Sequence, residues 1–300
     1  MSSTKISKYG IAYEERGSGA AFVALHGYSL DRRMSIGAFE PLFEARAKKG
    51  GTSQGYRRIY ADLPFMGEST DTSEGEGHDG MLAAMVAFVR EVAPEGPILL
   101  AGESYGGYLA RGLARELGER VHGLFFLCPS VVARRNGRDL PRREVRGEES
   151  GWREAAKAAG ATEVDIADYE EHAVTRSLEA FERTRAEIIA GIRIARIAEL
   201  ERYLGGKQTF SFDHLGNGGQ GDEPFDRPFA GPVCFVLGRQ DISVGWRDAL
   251  RLADCYPHAS YHVLDGAGHN AQIDRPDLFA ATFSRWLAAL ETEGLMQLRH

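Results

Sequence analysis

The stretch 97–117 constrains the fold most, because it predicts a buried strand, a sharp turn and a helix in immediate succession. Residues 98–101 form an unbroken apolar run, which is typical of a strand that is buried on both faces. Apolar residues then recur over 109–117 with the spacing of one helix face. The turn between them reads Gly-Glu-Ser-Tyr-Gly at 102–106, a match to the pattern Gly-x-Ser-x-Gly.

This turn is predicted to be a nucleophile elbow with Ser104 at its tip. Such a turn holds the serine in a strained backbone conformation, and it needs Gly102 and Gly106 where a Cβ would collide with neighbouring backbone. Ser104 Oγ would then lie at the positive end of the following helix, where a developing negative charge is favoured. The same pattern recurs at 51–55, but no strand precedes it and no helix follows it, so we interpret Ser53 as a solvated loop serine.

The acidic composition and the few cysteines restrict the partners and the compartment. The 300 residues carry a formal net charge of -7, which argues against nucleic acid as a partner. No apolar run approaches the roughly 18 residues that span a membrane, and no apolar segment follows the first residues as in a signal peptide. The three cysteines are widely spaced, which favours buried thiols over disulfides or a metal site. We therefore expect a cytoplasmic protein with no membrane, nucleic-acid or metal partner.

Strand-like and helix-like segments alternate along both ends of the chain. This alternation predicts an α/β fold with a mostly parallel, twisted sheet that has helices on both faces. The strands are predicted at 9–16, 21–25, 57–61, 98–101, 121–127, 233–237 and 260–264. The helices between them are predicted at 39–47, 81–92, 109–117, 246–255 and 276–290.

A long insertion interrupts the alternation. Residues 130–229 are predicted to be mainly helical, with a long helical pattern at 178–204 in which Gly191 is a candidate position for a break. We predict that this insertion is a helical cap, or lid, over a core that is formed by residues 1–129 and 230–300. Acidic residues interrupt the arginines at 134–146, which favours a solvated surface over a site for an anionic substrate, and both interpretations stay open.

Polar residues follow several of the predicted strands, and in a parallel sheet ligands gather beyond the carboxyl ends of the strands. These residues are His-Gly-Tyr at 26–28, Ser104, Asp241 and His269. A serine hydroxyl needs a base to take its proton, and the base needs an acid that fixes its tautomer and stabilises its cation. We predict that His269 is the base and Asp241 the acid. Asp265 competes for the second role, but it stands only four residues before His269.

The motifs together resemble the cap-bearing branch of the α/β-hydrolase superfamily. The resemblance rests on His-Gly-Tyr at 26–28, Asp-Leu-Pro-Phe-Met-Gly-Glu-Ser at 62–69, Gly-Glu-Ser-Tyr-Gly-Gly at 102–107, Gly-Arg-Gln-Asp at 238–241 and Gly-Ala-Gly-His at 266–269. It implies an α/β-hydrolase fold in which the backbone N–H groups of Tyr28 and Tyr105 form the oxyanion hole. His26 and Gly27 would then be structural, with His26 bracing the oxyanion loop. Phe65 departs from the pattern, because relatives often carry glycine there.

The resemblance and the candidate residues imply a serine hydrolase that needs no cofactor. Ser104 would attack a small-molecule carboxylic ester, thioester or lactone, and water would then hydrolyse the acyl-enzyme. A carbon–carbon bond hydrolase, an iminopeptidase-like hydrolase with the same triad, and a ligand-binding protein with little or no turnover stay open as alternatives. The natural substrate and the oligomeric state, monomer or homodimer, also stay open. Apolar pocket walls are expected from the cap at Trp152, Tyr169, Phe181 and Ile188.

Overall fold

The computed structural model describes residues 3–48, 55–71, 75–205 and 228–292. Within them the strands are β1 Lys5–Ile6, β2 Ala12–Arg16, β3 Ala20–Leu25, β4 Tyr56–Ala61, β5 Ile98–Glu103, β6 Val121–Leu127, β7 Gly147–Glu148, β8 Thr175–Arg176, β9 Val233–Gly238 and β10 Ala259–Leu264. Ser53 and part of the predicted cap, 206–227, lie outside the described residues.

One sheet of eight strands has the order β1-β2-β4-β3-β5-β6-β9-β10. β1 pairs with β2, and β2 with β4, in antiparallel fashion, whereas all pairs from β4 to β10 are parallel. β5 and β9 are buried along their whole length, as expected of central strands with unbroken apolar sequences. The predicted α/β fold with a mostly parallel sheet is therefore confirmed.

Helices cover both faces of the sheet and also form much of the segment between β6 and β9. They are α1 Arg32–Lys48, α2 Gly77–Val92, α3 Tyr105–Leu117, α4 Trp152–Ala158, α5 Glu163–His172, α6 Leu178–Thr184, α7 Ala190–Ile192, α8 Ile197–Leu204, α9 Ala271–Asp274 and α10 Pro276–Thr292. Val23 of β3 packs into the apolar core under α2 and α3, whereas its neighbour Phe22 packs into the core under α1 and α10. None of the described helices has both the length and the apolar character that a membrane crossing requires.

The segment between β6 and β9 differs from its predicted pattern. The predicted helical run 178–204 is interrupted: α6, the π-helical stretch Arg185–Ile189 and α7 follow one another, and α8 begins only at Ile197. The Arg196 N–H donates to the Phe65 carbonyl over 3.1 Å, so this contact fixes the break between α7 and α8. The predicted helix at 246–255 is a 3₁₀ helix, Asp248–Cys255.

Candidate active site

Ser104 lies at the sharp turn between β5 and α3. Its backbone torsions are φ 51° and ψ −115°, so a residue with a Cβ is held in the region that favours glycine. A Cβ at Gly102 would lie 2.3 Å from the Gly106 carbonyl oxygen, and one at Gly106 would lie 2.4 Å from the Leu25 carbonyl oxygen. The close approach of backbone therefore requires glycine at both positions, which leaves Ser104 at the tip of the turn.

The loop after β3 is held by a buried histidine. His26 Nε2 accepts a hydrogen bond from the Leu63 N–H over 2.9 Å, so its proton is on Nδ1, which lies 2.8 Å from the Gly27 carbonyl oxygen. Burial lowers the pKa of His26, which keeps the ring neutral in this role. A Cβ at Gly27 would lie 2.3 Å from Glu103 Oε2, so the loop approaches the nucleophile turn closely.

Tyr28 and Tyr105 both line the cavity into which Ser104 faces. Tyr28 follows Gly27 on the loop after β3, and Tyr105 is the first residue of α3. Their rings pack edge to face with centroids 6.1 Å apart, and the Tyr105 hydroxyl lies 2.8 Å from His78 Nδ1. The two residues whose N–H groups were expected to form an oxyanion hole are therefore neighbours beside the serine.

Asp241 and His269 lie on the loops that follow β9 and β10, and the structure brings them together. His269 Nδ1 lies 2.9 Å from Asp241 Oδ2. Asp241 Oδ1 accepts the N–H groups of Ser243 and Val244, over 2.8 and 3.0 Å. Burial opposes ionisation of Asp241, but the charge and hydrogen bond of His269 outweigh it and lower the pKa of Asp241. Asp241 is therefore an ionised, fixed partner of the His269 ring.

Glu103 is a site residue that the sequence interpretation missed. It directly precedes Ser104, it is buried, and its Oε1 lies 3.2 Å from His269 Nε2. The His269 ring thus lies between two carboxyl groups, Asp241 on one nitrogen and Glu103 on the other. Because Glu103 directly precedes Ser104, this contact also brings the His269 ring to the nucleophile turn. An acidic residue at the end of an apolar strand was the available signal.

The two carboxyl groups set the charge of the base. Burial acts to lower the pKa of His269, but the charge and hydrogen bond of Asp241 and the charge of Glu103 outweigh it and raise the pKa to about 9. Burial raises the pKa of Glu103 to about 7, although the positive charge of His269 opposes this. The resting site therefore favours a protonated imidazole at neutral pH.

Asp265 and Asp274 lie near His269 in sequence but differ in role. Asp265 is exposed and pairs with Arg146 and with the Gln240 amide, over 3.0 and 2.8 Å, so it is not the partner of His269. Asp274 is buried and accepts the Gly268 N–H over 2.9 Å. Its other oxygen accepts the Thr175 N–H over 3.0 Å. Asp274 thus fixes the loop that carries His269, and the sequence interpretation missed it.

Ser104 lines a cavity of about 580 Å³. The residues that line the cavity belong to the core and to the segment between β6 and β9, and they include a histidine, an arginine and a glutamate. They are Tyr28, His78, Ser104, Tyr105, Tyr108, Ser130, Ala133, Arg138, Glu201, Leu204, Ser243 and Val244. The charged groups show that this cavity is amphipathic, not uniformly apolar.

The expected pocket walls Trp152, Tyr169, Phe181 and Ile188 are not among the residues that line the Ser104 cavity. Trp152 and Tyr169 pack edge to face with centroids 5.2 Å apart, and Tyr169 packs on Phe181 at 5.4 Å. All four are buried in the apolar core that also holds α1 and α10. The expectation is wrong because these side chains anchor their helices to the core, while residues 130–138 and α8 contribute to the cavity.

The arginine-rich segment divides into two groups. Arg138 is half-buried and lines the Ser104 cavity. The remaining arginines are exposed, as a solvated surface requires: Arg134, Arg135, Arg142, Arg143 and Arg146.

Cys128, Asp241 and His269 have potential metal-ligand atoms within 4.8 Å of one another. Asp241 and His269 already share a hydrogen bond, and burial raises the pKa of the Cys128 thiol well above its ordinary value. The thiolate that binds metals is therefore disfavoured here, and the donor set fits a metal ion poorly.

The chain is similar to proteins of one family. A family model described as an alpha/beta hydrolase fold matches residues 20–276. Comparison with curated proteins gives no significant match. An alpha/beta superfamily hydrolase of solved structure from Oenococcus oeni PSU-1 has 25% sequence identity and a TM-score of 0.81, with 96% of this chain and 99% of that chain covered.

Two esterases of solved structure are similar at lower sequence identity. A thermophilic esterase from Thermogutta terrifontis has 19% identity and a TM-score of 0.61, with 93% of both chains covered. An esterase from Rhodococcus sp. ECU1013 has 18% identity and a TM-score of 0.64, with 96% of this chain and 99% of that chain covered. Likeness at this level of identity establishes the shared fold alone.

Proposed function

The chain belongs to the α/β-hydrolase family and is a hydrolase, and we propose that it cleaves a carboxylic ester, thioester or lactone through an acyl-enzyme on Ser104. One observation carries this proposal: Ser104 lines a cavity from a strained strand-to-helix turn, and the residue before it contacts the His269 ring of the His269–Asp241 pair. A turn that exposes a serine hydroxyl at a helix N-terminus favours attack on a carbonyl carbon.

The reaction has two steps, and His269 moves the proton in both. In the first, neutral His269 takes the hydroxyl proton on Nε2 as the serine oxygen attacks the carbonyl. Asp241 holds the Nδ1 proton and stabilises the imidazolium that forms. The proton then goes to the leaving alcohol or thiol, and water attacks the acyl-enzyme in the second step with His269 again as base.

The negative charge on the carbonyl oxygen needs preorganised donors. We assign this role to the backbone N–H groups of Tyr28 and Tyr105, because the loop after β3 and the start of α3 lie side by side at Ser104. His26 braces this loop through its bonds to Leu63 and Gly27. No metal or cofactor takes part in the steps proposed here.

Residues 130–229 act as the cap over the core of residues 1–129 and 230–300 in this proposal. Its support is that Arg138, Glu201 and Leu204, all from this segment, line the same cavity as Ser104. The segment therefore contributes groups that select the substrate, which we take to be a small acyl compound.

Hydrolysis of p-nitrophenyl butanoate tests the proposal. The wild-type protein is expected to release a burst of nitrophenol equal to the enzyme concentration when hydrolysis of the acyl-enzyme is the slower step. Ser104→Ala should abolish both the burst and the steady rate. Ser260→Ala is the matched control, because Ser260 is exposed on β10 and does not line the cavity.

Each competing function is tested with a substrate or a measurement of its own. Turnover of a vinylogous β-diketone but not of esters would identify a carbon–carbon bond hydrolase. Turnover of an N-terminal proline arylamide would identify an iminopeptidase-like hydrolase. Saturable binding of the ester without turnover would identify a ligand-binding protein.

A further inference from the structure

We infer that Arg138 is a carboxylate-binding residue, so that the substrate of this hydrolase carries one carboxylate in addition to the bond that is cleaved. The inference rests on the proposed function for the bond that is cleaved. The residues that it concerns are not those that carry out the reaction. It assigns to the cavity an anion subsite formed by the Arg138 guanidinium and the Ser130 hydroxyl.

The guanidinium is held in a fixed orientation on the cavity wall. Arg138 Nε donates to the Val132 carbonyl over 2.7 Å, and Nη1 donates to the Ser243 carbonyl over 2.7 Å. Nη2 donates to the Ala133 carbonyl over 2.8 Å and to Ser130 Oγ over 3.3 Å. A guanidinium has five N–H donors, so one Nη1–H has no acceptor among the residues that the structure describes.

The positive charge of Arg138 lacks a close counter-charge. No carboxylate of the described chain lies within 4.0 Å of its nitrogens, although most other half-buried arginines here have such a partner. Burial, and then the charge of Arg135, lower the pKa of Arg138, and the attraction of Asp241 and Asp248 does not reverse this. The carbonyl oxygens that accept from Arg138 fix the plane of its guanidinium. Because they carry no net charge, the positive charge of the guanidinium can still attract an anionic ligand.

Arg138 lies near the loop that carries Asp241 and near His269. Its bond to the Ser243 carbonyl joins residues 130–138 to the loop that carries Asp241. Its charge also acts to lower the pKa of His269, so it lies within electrostatic range of the base. A carboxylate on Arg138 would therefore occupy the same cavity as the carbonyl that Ser104 attacks.

The charges of the cavity favour a carboxylate over a phosphate. One guanidinium and one hydroxyl match the single charge and the two oxygens of a carboxylate. Glu201, an exposed residue, also lines the cavity and would repel a doubly charged phosphate.

Matched ester pairs test the inference. The substrates are the monoethyl esters of succinate, glutarate and adipate, each paired with the neutral ester in which a carboxamide replaces the free carboxylate. Because a hydrogen bond to a charged partner is stronger than one to a neutral group, the wild-type protein should prefer the carboxylate of at least one pair by roughly 10- to 100-fold in kcat/KM. O-Butanoyl lactate and its amide repeat the comparison with the carboxylate on the alcohol side.

The variant Arg138→Met should reduce this preference to about one or less, and Arg138→Lys should retain part of it. Arg135→Met is the matched control, because Arg135 is exposed on the same segment and does not line the cavity; it should keep the wild-type preference. If Arg138 only braces the loop, Arg138→Met should lower kcat/KM for both members of every pair by the same factor, and the inference is then wrong.

Binding to the Ser104→Ala protein separates this inference from the proposed function. Calorimetry should give a Kd for monoethyl glutarate or its homologues that weakens roughly 10- to 100-fold when Arg138→Met is added. Arg138-dependent binding without any wild-type ester turnover would contradict the proposed function and leave the inference standing. Ester turnover with no carboxylate preference, and no loss of binding in Arg138→Met, would contradict the inference alone.

Discussion

Replacement of Glu103 with glutamine is expected to increase activity at neutral pH, although it alters the residue next to the nucleophile. Only neutral His269 can accept the Ser104 proton, so kcat/KM should rise with pH through the pKa of His269 in the free enzyme. The negative charge of Glu103 stabilises the protonated ring and raises this pKa. Removal of the charge should therefore move the midpoint of the profile to lower pH.

The size of the shift follows from the contact between Glu103 Oε1 and His269 Nε2. Two unit charges separated by 3.2 Å interact by about 5 kcal/mol at an effective dielectric constant of 20. In the Glu103→Gln protein the amide oxygen can still accept a hydrogen bond from His269 Nε2, so only part of that interaction is lost. We expect the midpoint to fall by about 1–2 pH units, where one unit corresponds to about 1.4 kcal/mol.

The assay is the pH dependence of kcat/KM for a neutral ester between pH 5 and 10. The wild-type midpoint should lie above the ordinary histidine value, near the pKa of about 9. Below that midpoint, Glu103→Gln should raise kcat/KM roughly 10-fold for each pH unit by which the midpoint moves. Glu201→Gln removes an exposed charge from the same cavity and should leave the midpoint in place. An unchanged midpoint in a folded Glu103→Gln protein would refute this reasoning.

Three further substitutions have distinct expected outcomes. Gly106→Ala places a Cβ 2.4 Å from the Leu25 carbonyl oxygen, and this clash should lower the free energy of unfolding in urea by roughly 3 kcal/mol. A loss of less than about 0.5 kcal/mol would contradict the close approach of the two backbone segments. Phe181→Ala should cost roughly 3–5 kcal/mol of stability and should change kcat/KM equally for short and long acyl esters, because Phe181 does not line the cavity; a dependence on chain length would contradict this placement. Asp274→Asn places an amide N–H₂ against the N–H of either Gly268 or Thr175, so one of the two hydrogen bonds is lost. This loosens the loop that carries His269 and should lower kcat roughly 10- to 100-fold, with the midpoint of the pH profile unchanged. A shifted midpoint would mean that Asp274 acts through its charge and not by holding the loop.

The sheet and the positions of the candidate residues could be predicted from local pattern. β5 and β9 are continuous apolar runs, and a parallel sheet brings residues that follow its strands to one edge. That rule alone predicted that Ser104, Asp241 and His269 would lie near one another.

The contact between Glu103 and His269 could not be predicted in the same way. It depends on the direction of the last side chain of β5 and on the path of a loop far along the chain. From the sequence, His269 has the ordinary pKa of an imidazole, whereas two buried carboxyl groups raise its pKa in the fold. The triad candidates follow from the sequence, but the electrostatics of the base do not.

The insertion shows the limits of periodicity. An apolar face predicts that a helix packs against something, but not whether that is the core or a cavity, and Phe181 packs in the core. The break considered at Gly191 lies instead at residues 193–196, after α7, where the Arg196 N–H donates to the Phe65 carbonyl in a tertiary contact that periodicity does not reveal. Phe65 itself has φ 65°, which is a backbone conformation that favours glycine.

Labelling with an organophosphonate tests the central claim most directly, that Ser104 is an activated nucleophile. The reagent needs both removal of the serine proton and stabilisation of the oxyanion, so it reacts measurably only at a serine that has both. Mass spectrometry should find one phosphonylated peptide, which contains Ser104. Ser104→Ala should abolish the labelling, Ser53→Ala should leave it unchanged, and His269→Ala should slow it by orders of magnitude. A folded wild-type protein that admits a small ester to its cavity but resists the reagent would contradict the account.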